Sequence, residues 1–257
     1  MSVIKRNKVA LRNQLNNNFE LILFEGWESA KGAPLLVGFA DIGITPIITT
    51  NSLIEQLQLP QIGFLKCLEQ APSATIRGGQ PAHSIRVYGN EHIVIIMSDS
   101  KVKEDSLASA LVGAVIKCVA ILGSKMIYST EGVPVESTEK IERKEMQFLT
   151  TDEEISKKLT EIGHKPLTDA VIAGISGGLL AECSLIDVDH DINYCILLAP
   201  TCSLYPDVWS SVLIIQALNS LLTTTTDTSK LESSARKLEA KANEILNKKS
   251  TVGDLYI

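Results

Sequence analysis

The stretch LLVGFADIGITPIITTNSLIEQL, residues 35–57, decides the fold. It opens with an apolar run, LLVGF (residues 35–39), which passes through the glycine turn GFADIG (residues 38–43) into an amphipathic segment over residues 46–58. A short apolar run that leads through a turn into a helix is typical of a strand buried on both faces of a parallel sheet. We therefore predict a strand over residues 35–39 and a helix over residues 46–58.

The same alternation continues along the chain. Further strands are predicted at residues 62–68, 92–97, 125–129, 170–174 and 192–198, and further helices at residues 105–122, 151–163 and 207–222. This alternation predicts an α/β fold with a mainly parallel sheet that carries helices on both faces. Residues 62–97 break the rhythm, because strands follow each other there across the link APSATIRGGQP, and this predicts an antiparallel excursion or hairpin.

The chain divides into three predicted parts: an α/β core domain over residues 1–222, a linker with a C-terminal amphipathic helix over residues 223–249, and a flexible tail over residues 250–257. In the helix, apolar residues recur at spacings of four, three, four and three, namely at Leu231, Ala235, Leu238, Ala242 and Ile245. This spacing places one apolar stripe along a single helix face. The stripe has to pack either on the core domain or on another subunit.

Charge and hydropathy exclude several classes of partner. The formal net charge is -6, and the chain has no long cluster of lysine and arginine, so we expect no nucleic-acid partner. No apolar run approaches membrane-spanning length, and the N-terminal residues lack the features of a secretory signal. We therefore expect no membrane association and interpret the protein as cytoplasmic.

The metal-binding residue types are scattered. Five cysteines lack any C-x-x-C spacing, and four histidines show no pairing at helical spacing: Cys67, Cys118, Cys183, Cys195, Cys202, His83, His92, His164 and His190. Most of the cysteines lie in apolar runs, where a thiol behaves as a small hydrophobic group. We expect neither a structural metal site nor a cofactor.

One motif suggests an enzyme. GISGG, residues 174–178, matches G-x-S-x-G between a predicted strand and a predicted helix, where a nucleophile elbow would place Ser176. Such a serine needs a base, and His190 is the only histidine that follows it in the chain. We favour the explanation that the glycines allow a tight turn and close packing, so we expect no catalytic residue. A small-molecule, nucleoside-type hydrolase or phosphorylase that uses this turn remains the alternative.

The chain ends on an apolar tripeptide. Leu255, Tyr256 and Ile257 follow a polar, glycine-containing stretch formed by Ser250, Thr251, Val252, Gly253 and Asp254. Chain termini are usually frayed and solvated, so an apolar end has to pack on its own protein or be received by a partner. We interpret the five polar residues as a tether and the last three as the partner-binding segment.

Four stretches, taken in order, resemble the proteasome assembly chaperone 2 family, including its archaeal members. They are residues 35–57, GGQPAHSIRVY (78–88), DAVIAGISGGLLAE (169–182) and LLAPTCSLYPDVWSSVLIIQAL (197–218). The resemblance implies an α/β fold akin to purine nucleoside phosphorylases. It also implies an ATP-independent protein that binds the proteasome core particle rather than turning over a substrate.

The resemblance also gives the C-terminal tripeptide a receiver. Proteins that dock on the proteasome core often end in a hydrophobic residue, a tyrosine and any last residue (the HbYX motif), and Leu255, Tyr256 and Ile257 fit that rule. We therefore expect the tail to bind α subunits of the core particle as an extended C-terminal peptide. One such tail binds weakly, so we expect a homo-oligomer that presents several tails at once. The sequence does not distinguish a protein that aids assembly of the α-ring from one that opens its gate.

Overall fold

The structure is a computed structural model that describes residues 7–40, 44–69, 75–77, 79–100, 105–135, 145–185, 192–203, 206–222 and 224–240. Within these ranges the chain forms twelve strands and six α-helices. The strands are β1 Val9–Gln14, β2 Phe19–Phe24, β3 Leu35–Phe39, β4 Gln61–Cys67, β5 Thr75–Arg77, β6 Gln80–Ala82, β7 Ile85–Gly89, β8 Val94–Ser98, β9 Met126–Pro134, β10 Gln147–Thr150, β11 Lys165–Pro166 and β12 Asn193–Thr201. The helices are α1 Thr45–Gln56, α2 Asp105–Leu122, α3 Glu153–Glu161, α4 Gly174–Leu185, α5 Val208–Leu221 and α6 over residues 229–240.

Ten of the strands form one mixed sheet in the order β1-β2-β4-β7-β8-β3-β9-β12-β10-β11. Its centre, β8-β3-β9-β12, is a block of parallel strands, and β3 lies inside it as predicted. The strands β2, β4 and β7 extend the sheet in antiparallel pairs up to β8. The remaining two strands, β5 and β6, form a separate antiparallel hairpin, so the predicted antiparallel excursion over residues 62–97 is confirmed.

Helices cover both faces of the sheet, as an α/β fold requires. On one face α2 and α4 pack on the core that contains Leu111, Val115 and Leu179. On the other face α1, α3 and α5 pack on the core that contains Leu53 and Ile214. The four helices predicted within the core domain match α1, α2, α3 and α5 to within two residues at each end.

Local chemistry explains where the helices begin and how closely they approach the sheet. The side chain of Asp152 accepts a hydrogen bond from the amide of Ile155, and Asp207 accepts one from the amide of Ser210, so these acids cap α3 and α5. A Cβ atom at Gly38 would lie 2.3 Å from Cγ2 of Thr50. The glycine in β3 therefore lets α1 rest directly on the parallel strands.

The predicted strand over residues 170–174 is wrong. Residues 170–173 adopt no regular structure, α4 begins at Gly174, and Val171 is 98% exposed. A Cβ atom at Gly177 would lie 2.2 Å from the carbonyl oxygen of Ile172, so this segment packs against the first turns of α4 instead of entering the sheet. Apolar character alone does not distinguish a strand from a segment that packs beside a helix.

The first half of the predicted apolar stripe packs on the core domain. In α6, Ala235 is buried and Leu231 packs on the core beneath α5, while Leu238 remains 42% exposed. Trp209 at the start of α5 donates a hydrogen bond from Nε1 to Glu239 Oε2 (3.2 Å), which fastens the far end of the described helix. Residues 242 and 245, which continue the stripe, lie outside the described ranges.

The linker before α6 is clasped to the end of α5. Asn219 accepts a hydrogen bond from the amide of Thr226 and donates one to the carbonyl of the same residue, both at 2.9 Å. The clasp fixes the point at which the chain turns back from α5 into α6. The predicted linker is thus ordered at residue 226, which is also buried.

Candidate functional site

A cleft of about 440 Å³ lies at the carboxyl ends of the central parallel strands, and we call it the carboxyl-edge cleft. Its floor comes from β3, β9 and β12 through Val37, Glu131 and Leu198, and its walls come from α2, β10, residues 167–173 and the first turn of α4. In open α/β sheets, ligands bind outside the carboxyl ends of the strands. The volume also lies in the range of about 300–1,000 Å³ typical of small-ligand pockets.

The lining of the cleft is mainly apolar. Small side chains make the space, among them Ala40, Ala108, Ala170 and Ala173. Among the described lining residues, Glu131 is the only ionisable side chain, so none supplies the positive charge with which proteins usually hold phosphate. The cleft is therefore suited to an apolar group that brings few charges with it.

A buried tyrosine joins the cleft wall to the sheet. Tyr194 in β12 donates a hydrogen bond from its hydroxyl to the carbonyl oxygen of Ser176 (2.9 Å), and the same hydroxyl is hydrogen bonded to Ser129 Oγ in β9. Burial raises the pKa of Tyr194 far above its ordinary value, so the hydroxyl stays protonated and can donate. These bonds fix the first turn of α4 against the strands.

The position of Ser176 does not support a nucleophile elbow. Ser176 lies in the first turn of α4, is 7% exposed, and follows an irregular segment rather than a strand. No histidine, lysine or cysteine occurs among the described residues that line the cleft. His164 accepts a hydrogen bond from the Met146 amide through Nδ1 (3.4 Å) at the far end of α3, and His190 lies outside the described residues. The motif thus serves packing in this structure.

Sequence reasoning missed a charged cluster beside α1. Arg86 in β7 is fully buried, and its Nη2 lies 2.7 Å from Asp99 Oδ2 just beyond β8. Arg77 of the β5–β6 hairpin reaches the other oxygen of Asp99 at 2.6 Å and donates to Asn51 Oδ1 in α1 (3.2 Å). Burial raises the pKa of Asp99, but hydrogen bonds from the two arginines outweigh this and leave the pKa below its ordinary value.

The cluster fixes the hairpin to the body of the molecule. One carboxylate bridges two guanidinium groups, so Asp99 connects the hairpin, the end of β8 and the strand β7. The signal in the sequence was an arginine between the apolar residues of the strand sequence IRVYG. A buried arginine requires a partner, but the sequence does not say that the partner lies thirteen residues further on.

The cysteines act as core residues within the described part of the chain. All five are free, and Cys118, Cys195 and Cys202 are buried. Burial raises the pKa of Cys195 to about 12 and that of Cys183 to about 11, so both thiols stay protonated near neutral pH.

Among the described residues, no cluster of three or more His, Cys, Asp or Glu side chains is arranged to hold a metal ion. No helix there has both the length and the apolar character needed to cross a bilayer.

The predicted tail lies outside the described residues. This applies to the tether, Ser250, Thr251, Val252, Gly253 and Asp254, and to the partner-binding segment, Leu255, Tyr256 and Ile257, which stay predictions. The structure does give the place from which the chain leads towards them. Because Glu239 contacts Trp209 at the start of α5, and α5 follows the carboxyl end of β12, residue 240 lies at the same edge of the sheet as the carboxyl-edge cleft.

Comparison with known proteins gives one family and several similar folds. A family model described as the PAC2 family matches residues 35–246. No curated protein sequence is a significant match. Pyrococcus furiosus PbaA, described as an archaeal homolog of proteasome-assembly chaperone, is 22% identical over 94% of this chain and 100% of that chain, with a TM-score of 0.78.

Two further solved structures have the same fold. Pyrococcus furiosus PbaB, described as an archaeal proteasome activator, is 18% identical over 90% of this chain and 99% of that chain, with a TM-score of 0.74. A Thermoplasma acidophilum protein of unknown function is 22% identical over 88% of this chain and 90% of that chain, with a TM-score of 0.70. At these identities the structural similarity establishes the α/β fold alone.

Proposed function

Because the chain belongs to the PAC2 family, we propose that it is a proteasome assembly chaperone-like protein that binds the α-ring of the proteasome core particle through Leu255, Tyr256 and Ile257. The family match supports the chaperone-like role, since it spans residues 35–246 and so includes the central parallel strands and α6. Binding through residues 255–257, which lie beyond the matched range, rests on the sequence of the tail. The descriptions of PbaA as a chaperone homolog and of PbaB as a proteasome activator support the proteasome as partner.

The chemistry of the tail supports this mode of binding. The terminal carboxylate of Ile257 pairs with a basic side chain in a receiving pocket, while Leu255 and the ring of Tyr256 bury apolar surface there. Residues 250–257, when extended, reach about 26 Å, which is far enough to enter a pocket without contact by the core domain. A homo-oligomer that presents several tails compensates for the weak binding of each one.

The structure favours a binding protein over a hydrolase. Ser176 is only 7% exposed in the first turn of α4, and no histidine or lysine occurs among the described lining residues. A serine without an adjacent base is a weak nucleophile. We therefore propose a binding function, with a nucleoside-type hydrolase as the alternative.

Binding of the tail is tested by comparing the full chain with Tyr256→Ala and with a chain that lacks residues 255–257. Purified proteasome α subunits serve as the immobilised partner in surface plasmon resonance. We expect each change to weaken binding at least about tenfold, because it removes the main apolar contact or the whole segment. Thr251→Ala, which alters only the tether, is the matched control and should leave the affinity unchanged. Equal binding by all four proteins would refute the proposed docking role.

The two outcomes of docking need separate assays. Aid in assembly is measured as the rate at which free α subunits form rings with and without the protein. Regulation is measured as peptide hydrolysis by the assembled core particle under the same two conditions. Faster ring formation supports the chaperone role, whereas faster hydrolysis by the intact core supports gate opening. Tyr256→Ala should abolish whichever effect is found.

A further inference from the structure

The carboxyl-edge cleft has an apolar rim as well as an apolar lining. Val133 and Val171 both line the cleft and are 37% and 98% exposed. A mainly apolar concavity with exposed apolar side chains at its mouth marks a site that another apolar segment can cover.

We propose that this cleft binds the C-terminal segment Leu255, Tyr256 and Ile257 of the same chain. The described chain ends at residue 240, at the edge of the sheet where the cleft opens. Seventeen residues, 241–257, follow, and their length when fully extended is about 55 Å.

The cleft lies within that reach. Its floor runs from β12 through β9 to β3, which are neighbours in the sheet. Adjacent strands are about 5 Å apart and packed layers about 10 Å apart, so the path from the start of α5, around the sheet edge, to the cleft is about 25 Å. The remaining chain can therefore cover the distance even when part of it is not extended.

The polar groups of the cleft match those of the tail. Gly174, Ile175 and Ser176 form the first turn of α4, where amides have no partner within the helix, and the preceding Ala173 has no side-chain acceptor to cap them. Amides at a helix start can bind an anion, so this turn offers donors to the carboxyl end of the tail.

The other polar groups of the lining are compatible with the tail. Gln147 can supply a partner for the Tyr256 hydroxyl, and Glu131 has an interaction of its own within the structure. The apolar lining then receives the side chains of Leu255 and Tyr256.

If the tail binds the cleft, the cleft and the proteasome core particle compete for it. A segment joined by a short chain has an effective concentration in the millimolar range, so even weak affinity for the cleft keeps a substantial fraction of tails bound. A tail held there is not available to the proteasome. This regulatory consequence rests on the proposed function, whereas occupation of the cleft does not.

A peptide assay tests the cleft directly. The probe is the labelled peptide STVGDLYI, and the receptor is the full chain whose own tail is disabled by Leu255→Ser with Tyr256→Ser. We expect saturable binding in fluorescence anisotropy that weakens at least about tenfold when Val171→Asp is added at the rim. Ile162→Asp, at a similarly apolar but distant exposed site, is the control and should not change the affinity. Absence of saturable binding, or equal binding with Val171→Asp, would overturn the inference.

Three further measurements keep this inference distinct from the proposed function. The wild-type chain should bind the same peptide more weakly than the tail-disabled chain, because its own tail competes for the cleft. Tail-dependent dimerisation in analytical ultracentrifugation would instead assign the occupant to a second copy and overturn the inference.

Val171→Asp in the otherwise native chain should bind proteasome α subunits at least as tightly as the wild type. If the native chain does not bind α subunits but the peptide still binds the cleft, the proposed function fails and this inference stands.

Discussion

At the scale of single residues, Asp99 stabilises the fold as the charge partner of a buried arginine. Arg86 is fully buried and depends on Asp99 for its charge partner. Breaking a buried pair leaves an uncompensated charge, which typically destabilises a protein by about 3–5 kcal/mol. Because the side chain of Asp99 is itself 26% exposed, we expect Asp99→Asn to lower the free energy of unfolding at neutral pH by about 2–4 kcal/mol. Urea denaturation gives the value.

The effect of Asp99→Asn should depend on pH with a definite sign. The pKa of Asp99 is lower in the folded protein than in the unfolded chain, so its stabilisation is present above the unfolded pKa and is lost as the pH falls through the folded pKa. The difference between the two proteins should therefore shrink in acid. Glu25→Gln, which removes only an exposed contact with Lys8, is the control and should change stability by less than about 0.5 kcal/mol. A difference that stays constant down to the acid limit would contradict the role of the charge.

Removal of the Thr130 hydroxyl should raise the free energy of unfolding, in contrast to Asp99→Asn. Its Oγ1 is buried and has no hydrogen-bond partner within the described residues. Thr130→Val keeps the shape and removes the unpaired hydroxyl, so we expect the free energy of unfolding to rise by about 1 kcal/mol. Thr201→Val is the matched control, because Thr201 Oγ1 donates to the Ala199 carbonyl at 2.9 Å, and its loss should destabilise by a similar amount. Thermal unfolding of both variants compares the two signs, and destabilisation by both would contradict this account.

At the scale of elements, Tyr194 connects α4 to the parallel strands. Tyr194→Phe removes the hydrogen bonds to the Ser176 carbonyl and to Ser129 while it keeps the ring. We expect a loss of about 1–3 kcal/mol in the free energy of unfolding, because two buried groups are left without this partner. In the variant, amide hydrogen exchange should accelerate, relative to the wild type, in the first turns of α4 and stay unchanged in α2. The control is Tyr88→Phe, since Tyr88 is only partly buried in β7, and uniform exchange changes in both helices would argue against a local role.

The elements of the sheet centre follow from the sequence, and its borders do not. A run such as LLVGF has no polar residue and enters a helix through a turn, so β3 is specified locally. The segment FELILF of β2 carries Glu20, which is tolerated in a buried strand because Arg12 of β1 lies 3.5 Å away. That partner becomes visible only when β1 and β2 pair. Residues 170–173 gave the opposite error: their apolar sequence predicts a strand, but the segment is irregular and only Ile172 among them is partly buried.

At the scale of the whole molecule, the candidate site is harder to predict than the fold. The cleft is lined by residues as far apart in the sequence as Val37 and Leu198. Its volume depends on small side chains from several segments, and no local sequence pattern predicts that these segments come together. Arg86 and Asp99 likewise meet only because β7 and β8 pair. The tail differs, because a tripeptide motif at the chain end is complete in the sequence. Leu255, Tyr256 and Ile257 are therefore a prediction from sequence, whereas the cleft is a finding of the structure.

The clasp between Asn219 and Thr226 has a consequence for the geometry of any assembly. It sets the starting point of α6, and each residue of an α-helix advances the chain by about 1.5 Å and turns it by about 100°. The described part of α6, residues 229–240, therefore sets both the height and the direction at which residue 240 lies relative to the core domain. Two added residues would leave the height nearly the same but send the chain off on the opposite side of the helix. In a ring of identical subunits, that direction decides whether the chain ends point along the ring axis or outward from the rim.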